Sequence, residues 1–386
     1  MFKKDNFFKN YLVHSEQYKK NIKKTQGAFN LLKSNIQDSE IPMLKSYEKD
    51  YIFDFSPNIV KKFIKFSNIV IIGMGGSILG SRAIYDFFRE KIKKNIFFFD
   101  NLDNNLYSEF KKIKNLKNTC YIIISKSGNT LETLTNLNLI LARAQLKNKL
   151  IIISEIKNSS LMNMANKFNA EVIEHKDFIG GRYSVMSEAG MFPARLMNLN
   201  INNFKNLRKL INDKTFVSSL IKNVSSIYTL NQEGIKNSVI LNYDSRLDGL
   251  GSWYQQLVGE SLGKKGKGIT PIVSGCPRDH HSLLQLYLDG PKDKFFTFFY
   301  PLEKKGRKID FIVKAQCEAA RNIFIKKNIP SRHFIFKKND ENELGAIFTF
   351  FVLETIILSR LMGVNPFTQP AVEEVKIETK KFLRRN

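Results

Sequence analysis

The chain has 386 residues, 43% of them hydrophobic, so it is long enough to form two α/β domains with a sizeable interior. The formal net charge of +25 is spread along the whole sequence, and no zinc finger, basic zipper or RNA-binding aromatic signature accompanies it, so we expect no nucleic-acid partner. The three cysteines form no CxxC pair, which argues against a structural zinc site and suits a reducing compartment.

Two segments bear on the location of the protein. Met1–Tyr11 mixes lysines with aromatic residues and lacks the apolar core of a signal peptide. Ala346–Met362 is the most apolar late stretch, but Glu354 and Arg360 interrupt it, which favours a buried core helix over a membrane span. We therefore expect a cytoplasmic protein without a membrane partner.

The first half of the chain alternates strands and helices. Asn68–Ile72 is a continuous apolar run rich in β-branched residues and followed at once by glycines, which is typical of a buried parallel strand entering a tight turn. Further strands are predicted at Asn95–Phe99, Cys120–Ile124, Leu150–Ser154 and Ala170–Glu174, with helices at Ile78–Lys91, Thr130–Ala144 and Ser159–Phe168. This pattern predicts a parallel sheet of about five strands with helices on both faces.

The second half repeats the scheme after a mostly polar, helical stretch from residue 202 to 236. Strands are predicted at Ser238–Leu241, Phe295–Tyr300 and His333–Phe336, with helices at Leu247–Leu262, Ile309–Lys327 and Glu341–Leu361. We predict an α/β protein of two doubly wound, parallel-sheet domains, at residues 1–200 and 201–386. A basic helical tail from about Val372 closes the chain.

Two loops of the first half have the composition of an anion site. Gly73–Ser77 lies between a strand and a helix, where backbone N–H groups and the helix dipole attract an anion and Ser77 adds a hydroxyl. The loop also fits a plain tight turn, or the start of a dinucleotide site with Asp100 as the ribose ligand. Ile78, however, stands where a dinucleotide fingerprint has its third glycine.

The second loop runs from Ser125 to Thr130 and again opens a helix after a strand. The hydroxyls of Ser125, Ser127 and Thr130 and a small-residue turn make it a better phosphate cradle, although Thr130 could be an ordinary N-cap. Both loops lie at the carboxyl edge of one parallel sheet, where ligand sites collect. Together they favour a phosphate ester as the ligand.

Acid–base chemistry could come from residues later in the chain. Arg182 follows a glycine turn and could bind phosphate or stabilise an oxyanion, and Glu260 ends a helix before a lysine-rich loop. His280 and His281 lie at the start of a predicted helix. A carboxylate that moves a carbon-bound proton and an imidazole that opens a sugar ring are the two groups an aldose–ketose isomerisation needs. Adjacent histidines on a helix diverge and no third ligand is close, so zinc binding is less favoured.

These segments, taken in order, resemble the glucose-6-phosphate isomerase family, which is built from two flavodoxin-like sugar-isomerase domains. The matching segments span residues 73 to 376. They are Gly73–Gly80, Ser125–Thr133, Gly180–Ser184, Gly259–Lys264, His281–Gln285 and Gln369–Lys376.

The resemblance implies a role for each matched residue. Phosphate would be bound by Ser77, Ser125, Lys126, Ser127 and Thr130, and Gly76 and Gln369 would line the pocket. Glu260 would move the proton between C2 and C1 through a cis-enediol, with Arg182 stabilising the developing charge. His281, aided by Lys376, would open the ring, with His280 as the alternative histidine. The family's histidine reaches the pocket of the other subunit, so the resemblance implies a homodimer with shared sites and neither cofactor nor metal.

Three other interpretations remain open. The pattern Ser-Gly-x-Thr, present at residues 127–130, also occurs in wider sugar-isomerase-domain proteins, including enzymes that accept mannose 6-phosphate, which leaves discrimination between the C2 epimers undecided. A phosphosugar-sensing module would keep the fold but would not need Glu260, His281, Arg182 and Lys376 together. An NAD-dependent dehydrogenase is the weakest of the three and would require tight NAD binding.

Overall fold

The computed structural model describes residues 8, 11, 15–141, 146–301 and 306–383. The last part of the helix predicted at Thr130–Ala144 therefore lies outside the described residues, as does nearly all of the segment Met1–Tyr11.

The first sheet has five parallel strands in the order β2-β1-β3-β4-β5, the order of a flavodoxin-like doubly wound domain. Its strands are β1 Asn68–Gly73, β2 Asn95–Phe99, β3 Thr119–Ile124, β4 Leu150–Ser154 and β5 Glu171–Glu174. The helices up to the end of this half are α1 Glu16–Gln37, α2 Pro57–Phe63, α3 Gly76–Phe88, α4 Asn104–Lys112, α5 Leu131–Leu141, α6 Ser160–Phe168 and α7 Glu188–Leu196. All five predicted strands are confirmed, within one residue at either end.

The second sheet has four parallel strands in the order β7-β6-β8-β9. Its strands are β6 Asn237–Asn242, β7 Thr270–Gly275, β8 Lys294–Phe299 and β9 Ser331–Phe334. The remaining helices are α8 Leu207–Leu210, α9 Lys214–Gln232, α10 Asp248–Leu262, α11 Leu284–Asp289, α12 Lys308–Lys326, α13 Glu341–Met362 and α14 Pro370–Leu383. The expected architecture, two doubly wound parallel sheets followed by a C-terminal helix, is thus confirmed.

Two details of the second sheet differ from the prediction. Strand β7 was not predicted, because Pro271 near its start and Gly275 at its end are typical of a loop. It lies at the edge of the sheet and pairs only with β6, where a residue without a backbone N–H is tolerated. The last strand, predicted at His333–Phe336, begins two residues earlier, at Ser331.

The two halves share one continuous core. Helix α3 of the first half packs against α10 of the second, and α1 packs on α9 and α13, where Asn21 donates to Thr229 Oγ1 at 2.9 Å. Contact between α3 and α10 matters for the site, since α3 follows the first glycine loop and α10 carries Glu260.

Helix α13, Glu341–Met362, is long and apolar enough to cross a membrane by length and composition, but 83% of its most apolar window is buried within the protein. The buried Glu354 on this helix pairs with the buried Arg332 of β9 at 2.6 Å, and Asn223 also bonds to the Glu354 carboxylate. Buried charges are tolerated when they are paired and hydrogen-bonded in this way. The residues from 346 to 362 therefore form a core helix, as expected.

Candidate active site

The two anion loops meet at the point where the order of the first sheet reverses. Strands β1 and β3 are neighbours, and Gly73 at the end of β1 is in register with Ile124 at the end of β3. The loops 73–77 and 125–130 therefore leave the same edge side by side, at the topological switch point where doubly wound sheets bind ligands. Ser125 Oγ and Thr130 Oγ1 share a hydrogen bond of 2.8 Å, which ties the two ends of the second loop together.

Glycine is required at position 76, where the first loop contacts the segment 180–184 that carries Arg182. A Cβ on Gly76 would lie 2.1 Å from the carbonyl carbon of Gly181, far inside van der Waals contact. Ser184 Oγ donates to the Gly76 carbonyl at 3.1 Å and holds the two loops in this position. The contact places Ser77 and Arg182 on neighbouring loops, with Gly76 between them.

Arg182 is the most completely bonded residue of the site, and its exposed side-chain fraction is only 2%. Its Nε donates to Ser261 Oγ at 2.8 Å, and Nη1 donates to Glu260 Oε2 and Gln369 Oε1, both at 2.9 Å. Nη2 donates to the backbone carbonyls of Pro366 and Thr368. All five N–H groups of the guanidinium thus have an acceptor, which fixes its plane and the groups it holds.

The Glu260 carboxylate is held from two sides. Oε2 accepts from Arg182, and Oε1 accepts from Gln256 Nε2 at 2.8 Å, one turn earlier on α10. Its side chain keeps 29% of its surface exposed, so it remains open to a ligand. A carboxylate with fixed orientation and partial exposure can take a proton from a bound substrate.

Gln256 connects this carboxylate to the first glycine loop. Gly75 has φ +52°, and a Cβ there would lie 2.8 Å from Gln256 Nε2. The other amide atom, Oε1, is buried and has no hydrogen-bond partner in the part of the chain that the structure describes. Gln256 was not predicted as a site residue, because a glutamine in a helix is unremarkable by composition. The four-residue spacing from Glu260, which puts both on one helical face, was the available signal.

Lys264 lies beside the Arg182–Glu260 pair. Its Nζ donates to the backbone carbonyls of Glu260 and Ser261, at 2.5 and 2.8 Å, and so closes the C-terminal end of α10. Burial, and then the nearby Arg182 charge, lower the pKa of Lys264 to about 8. Arg182 and Lys264 thus place two basic side chains next to Glu260, which favours an anionic ligand.

Lys126 is positioned differently from the hydroxyl groups of its loop. Its Nζ donates to the Asp177 carbonyl at 2.5 Å and lies 3.7 Å from Glu155 Oε1. In this arrangement the side chain joins the loops that follow β3, β4 and β5. It would have to leave these partners to contact a phosphate directly.

The two histidines have different surroundings. His280 Nε2 and Tyr243 Oη share a hydrogen bond of 2.7 Å, whereas His281 is exposed. Within the described residues, the His281 side chain makes no hydrogen bond or ion pair, to Glu260 or to any other group.

Lys376 is also apart from the Arg182–Glu260 pair. It lies on α14, a helix without a buried residue, and pairs with Glu373 on the same helix at 2.6 Å. The structure therefore brings Gly76, Arg182, Glu260 and Gln369 together within one chain, and leaves His281 and Lys376 outside this cluster.

Among the described residues, no group of three or more His, Cys, Asp or Glu side chains has the arrangement of a metal site. The polar groups that converge are loop hydroxyls, backbone N–H groups, one carboxylate and one guanidinium. Set at the switch point of a doubly wound sheet and beside a second such sheet, they form a candidate site for an anionic ligand in an α/β protein.

Comparisons with known proteins identify the family. The model of the phosphoglucose isomerase family matches residues 58–322. A glucose-6-phosphate isomerase of Methanocaldococcus jannaschii is 33% identical over 352 residues, which cover 85% of this chain and 87% of the relative. That of Campylobacter jejuni is 28% identical over 371 residues, covering 86% and 91%. The chain belongs to the phosphoglucose isomerase family.

Solved structures agree on the fold. A hypothetical protein from Thermus thermophilus superposes with a TM-score of 0.83 at 21% identity, covering 98% of this chain and 99% of that one. A glucose-6-phosphate isomerase from Chlamydia trachomatis gives a TM-score of 0.72, also at 21% identity, covering 84% and 71%. The resemblance stated from the motifs is confirmed.

Proposed function

We propose that the protein interconverts glucose 6-phosphate and fructose 6-phosphate by proton transfer through a cis-enediol, a reaction of glycolysis and gluconeogenesis. The observation that carries the proposal is the Glu260 carboxylate, fixed between Arg182 and Gln256, of which Gln256 lies against Gly75 in the first glycine loop. A positioned carboxylate next to an anion site is the arrangement that aldose–ketose isomerisation needs.

In the proposed reaction, Ser77, Ser125, Ser127 and Thr130 hold the phosphate through hydroxyls and backbone N–H groups at two helix N-termini. Lys126 adds positive charge behind them, and Gly76 and Gln369 line the sugar pocket. Phosphate binding fixes the distance from the phosphate-binding loops to C2, so that the sugar is presented to Glu260 in a single orientation.

Glu260 takes the proton from C2 of the open-chain aldose while O1 gains a proton from water, which gives the enediol. The same carboxyl group then delivers its proton to C1 as O2 returns a proton to water, which gives the ketose. Arg182 holds the carboxylate and offers fixed positive charge to the enediolate oxygen as it forms. His281 and Lys376 serve the earlier step, in which the ring oxygen gains a proton and the anomeric hydroxyl loses one.

The positions of His281 and Lys376 support a homodimer with shared sites. Both are placed away from Glu260 within one chain, and α14 exposes Val372, Val375, Ile377, Phe382 and Leu383. An amphipathic helix without a buried residue gains stability by packing on a second molecule. We infer that a second copy covers α14 and supplies His281 to the neighbouring site.

Mixing two inactive variants tests the shared site. In a hybrid of Glu260→Gln and His281→Ala chains, one site carries both changes and the other carries neither, if each site takes its histidine from the partner. Co-refolding the two variants in equal amounts should then restore about a quarter of the wild-type activity. Sites built from one chain would give no recovery.

We also propose a cytoplasmic location, no membrane or nucleic-acid partner, and a domain boundary near residue 200. The cysteine pattern and the burial of α13 support the first two proposals. Helix α1 packs on the second half, so limited proteolysis near residue 200 should leave the two fragments associated.

The activity itself is tested by turnover of fructose 6-phosphate coupled to glucose-6-phosphate dehydrogenase and read as NADPH formation, with mannose 6-phosphate assayed in parallel. Turnover of the fructose ester alone supports the proposed function, and turnover of both esters would place the protein among dual-specificity isomerases. Binding of either ester without turnover would favour a sensor, and micromolar NAD binding would favour a dehydrogenase.

A further inference from the structure

The turn that carries the two histidines is anchored at its start. It follows the edge strand β7, and Cys276 N–H donates to the Asn242 carbonyl at the end of β6, at 2.7 Å. A single 3-10 turn, Arg278–His280, then leads to His281. Because β7 pairs on one side only, the chain after it has no further strand to hold it.

Asp279 ties the middle of the turn to β7. Its Oδ2 accepts from Ser274 Oγ and from the Gly275 N–H, both at 2.8 Å, and its Oδ1 accepts from Arg278 Nε at 3.2 Å. Ser274 is fully buried, so this anchor is set in the sheet itself. Hydrogen bonds to a carboxylate are among the stronger ones available to a protein.

Tyr243 ties the end of the turn to β6. It directly follows that strand, is 3% exposed, and stacks on Phe298 of β8 with ring centroids 6.2 Å apart and an interplanar angle of 7°. Its hydroxyl bonds to His280 Nε2 at 2.7 Å, and the two rings meet edge to face. Tyr243 is therefore a rigid support, and the hydrogen bond fixes the His280 imidazole against it.

These anchors orient the side chains of adjacent residues in opposite directions. The side chains of Asp279 and His280 are turned back onto strand ends, whereas His281 projects from the turn and is exposed. We propose that Tyr243 and Asp279 are positioning residues, which act through His280 and the turn to present His281 to the site of a second copy. The inference rests on the proposed function, because it concerns the histidine assigned to ring opening.

Loss of an anchor is expected to displace His281 from its position. A catalytic group has to be held within a fraction of an ångström, and a turn that loses one of its three anchors samples other positions. The proton-transfer step on Glu260, which lies on a separate helix, should not change. Loss of Tyr243 should therefore slow ring opening and spare the isomerisation of an open-chain sugar.

The test compares a cyclic with an open-chain substrate. Fructose 6-phosphate has to open its ring, whereas 5-deoxyfructose 6-phosphate lacks the hydroxyl that closes it. For the second compound, exchange of the C1 proton into D2O, followed by NMR, reports the Glu260 step alone. Tyr243→Phe should lower kcat on fructose 6-phosphate about tenfold and leave the exchange within about twofold of wild type.

A matched control is Tyr300→Phe. Tyr300 is a buried tyrosine at the end of the neighbouring strand β8, and its hydroxyl bonds to Glu318 and not to the turn. This variant should keep both rates. His280→Gln, whose amide nitrogen can occupy the place of Nε2, should keep most of the activity on the cyclic substrate, and His280→Ala should lose it.

A double variant of Tyr243 and His281 distinguishes a positioning role of Tyr243 from general damage to the protein. If Tyr243 acts through His281, the double variant Tyr243→Phe/His281→Ala should be no slower on fructose 6-phosphate than His281→Ala alone. Equal losses of Tyr243→Phe on both substrates, or losses that multiply with those of His281→Ala, would overturn the inference.

Hydrogen exchange of the amides at residues 276–283 tests the anchor without using activity. Exchange should be faster in Tyr243→Phe than in wild type and unchanged in Tyr300→Phe. Unchanged exchange in both would overturn the anchor even in an active isomerase. Faster exchange in Tyr243→Phe, together with equal losses of His281→Ala on both substrates, would show that the anchor exists but that the assigned ring-opening role is wrong.

Discussion

Arg182 donates to Glu260 Oε2 at 2.9 Å, although the two residues are 78 positions apart and belong to different halves of the chain. The same guanidinium holds Gln369, a further 109 positions beyond Glu260 and 187 from Arg182. The proposed base is thus oriented by long-range contacts, and its own helix contributes only Gln256. Substitutions at residues that are distant from Glu260 in the sequence should therefore alter activity.

Glu260→Gln should lower kcat by about three orders of magnitude, because the amide keeps the shape of the side chain but cannot take the C2 proton. Binding of fructose 6-phosphate, measured by calorimetry, should change little, since the phosphate loops are untouched. Glu109→Gln, at an exposed position on α4, is the control and should be fully active. Near-normal turnover of Glu260→Gln would show that another group is the base.

Gln256→Met should reduce kcat about tenfold without loss of stability. The substitution removes the donor that holds Glu260 Oε1, but it also removes a buried acceptor that has no partner, and an unsatisfied buried group costs free energy. Activity and thermal midpoint would be measured on the same preparations. Gln255→Met is the control, because Gln255 bonds to the Pro271 carbonyl and not to Glu260. A fall in both activity and midpoint would contradict this interpretation of Gln256.

Gly76→Ala should destabilise the protein by about 1–3 kcal/mol, as expected for overpacking in a tightly packed region. The added methyl would lie 2.1 Å from the Gly181 carbonyl carbon, so the loops of Ser77 and Arg182 would have to separate and activity should fall. Gly27→Ala, in α1, has nothing within 4 Å of its added methyl and should be neutral or slightly stabilising. Unfolding by urea would compare the two, and equal stabilities would rule out the close contact.

Lys205 should make stability depend on pH above neutrality. Its Nζ lies 3.7 Å from the centre of the Phe53 ring and has no hydrogen-bond partner among the described residues. Burial lowers the pKa of Lys205 from 10.5 to about 7, while the nearby Glu188 and Asp50 charges oppose that shift. Between these two values the unfolded chain binds more protons than the folded protein, so the contribution of this lysine to stability rises with pH.

The measurement is the free energy of unfolding of wild type and Lys205→Met at pH 7 and pH 9. Wild type should gain relative to the variant as the pH rises, by up to about 1.4 kcal/mol per pH unit. Lys209→Met, at an exposed position nearby, should show no such trend. A constant difference between wild type and Lys205→Met would mean that the ammonium stays protonated in the folded protein.

Much of the fold could be predicted because local patterns and tertiary structure agree. Apolar runs such as those at β1, β3 and β4 are buried along their whole length, and each is bounded by turn residues. Strand β7 was missed because Pro271 is unfavourable in most strands, and only the edge position in the finished sheet makes it acceptable. The edge position of β7 is visible in the order in which the strands pair, and not in the sequence of the segment itself.

The site was predictable to the extent that its residues lie in motifs. Arg182, Glu260 and Gln369 were named from sequence, and the structure brings them into direct contact. Gln256 was missed because its role depends on Gly75, a residue of the other half that approaches it closely. The difference between His280 and His281 likewise depends on Tyr243, which directly follows the neighbouring strand β6.

Arg182 makes contacts with residues far along the chain, and these contacts affect when activity is regained during folding. Its acceptors come from α10 and from the segment 366–369 before α14, so neither half can form the network alone. Each sheet can gain its secondary structure while the base is still unsupported, since domains generally fold as units. In a refolding experiment, helical circular dichroism should recover before isomerase activity, and the delay between the two would time the docking of the halves.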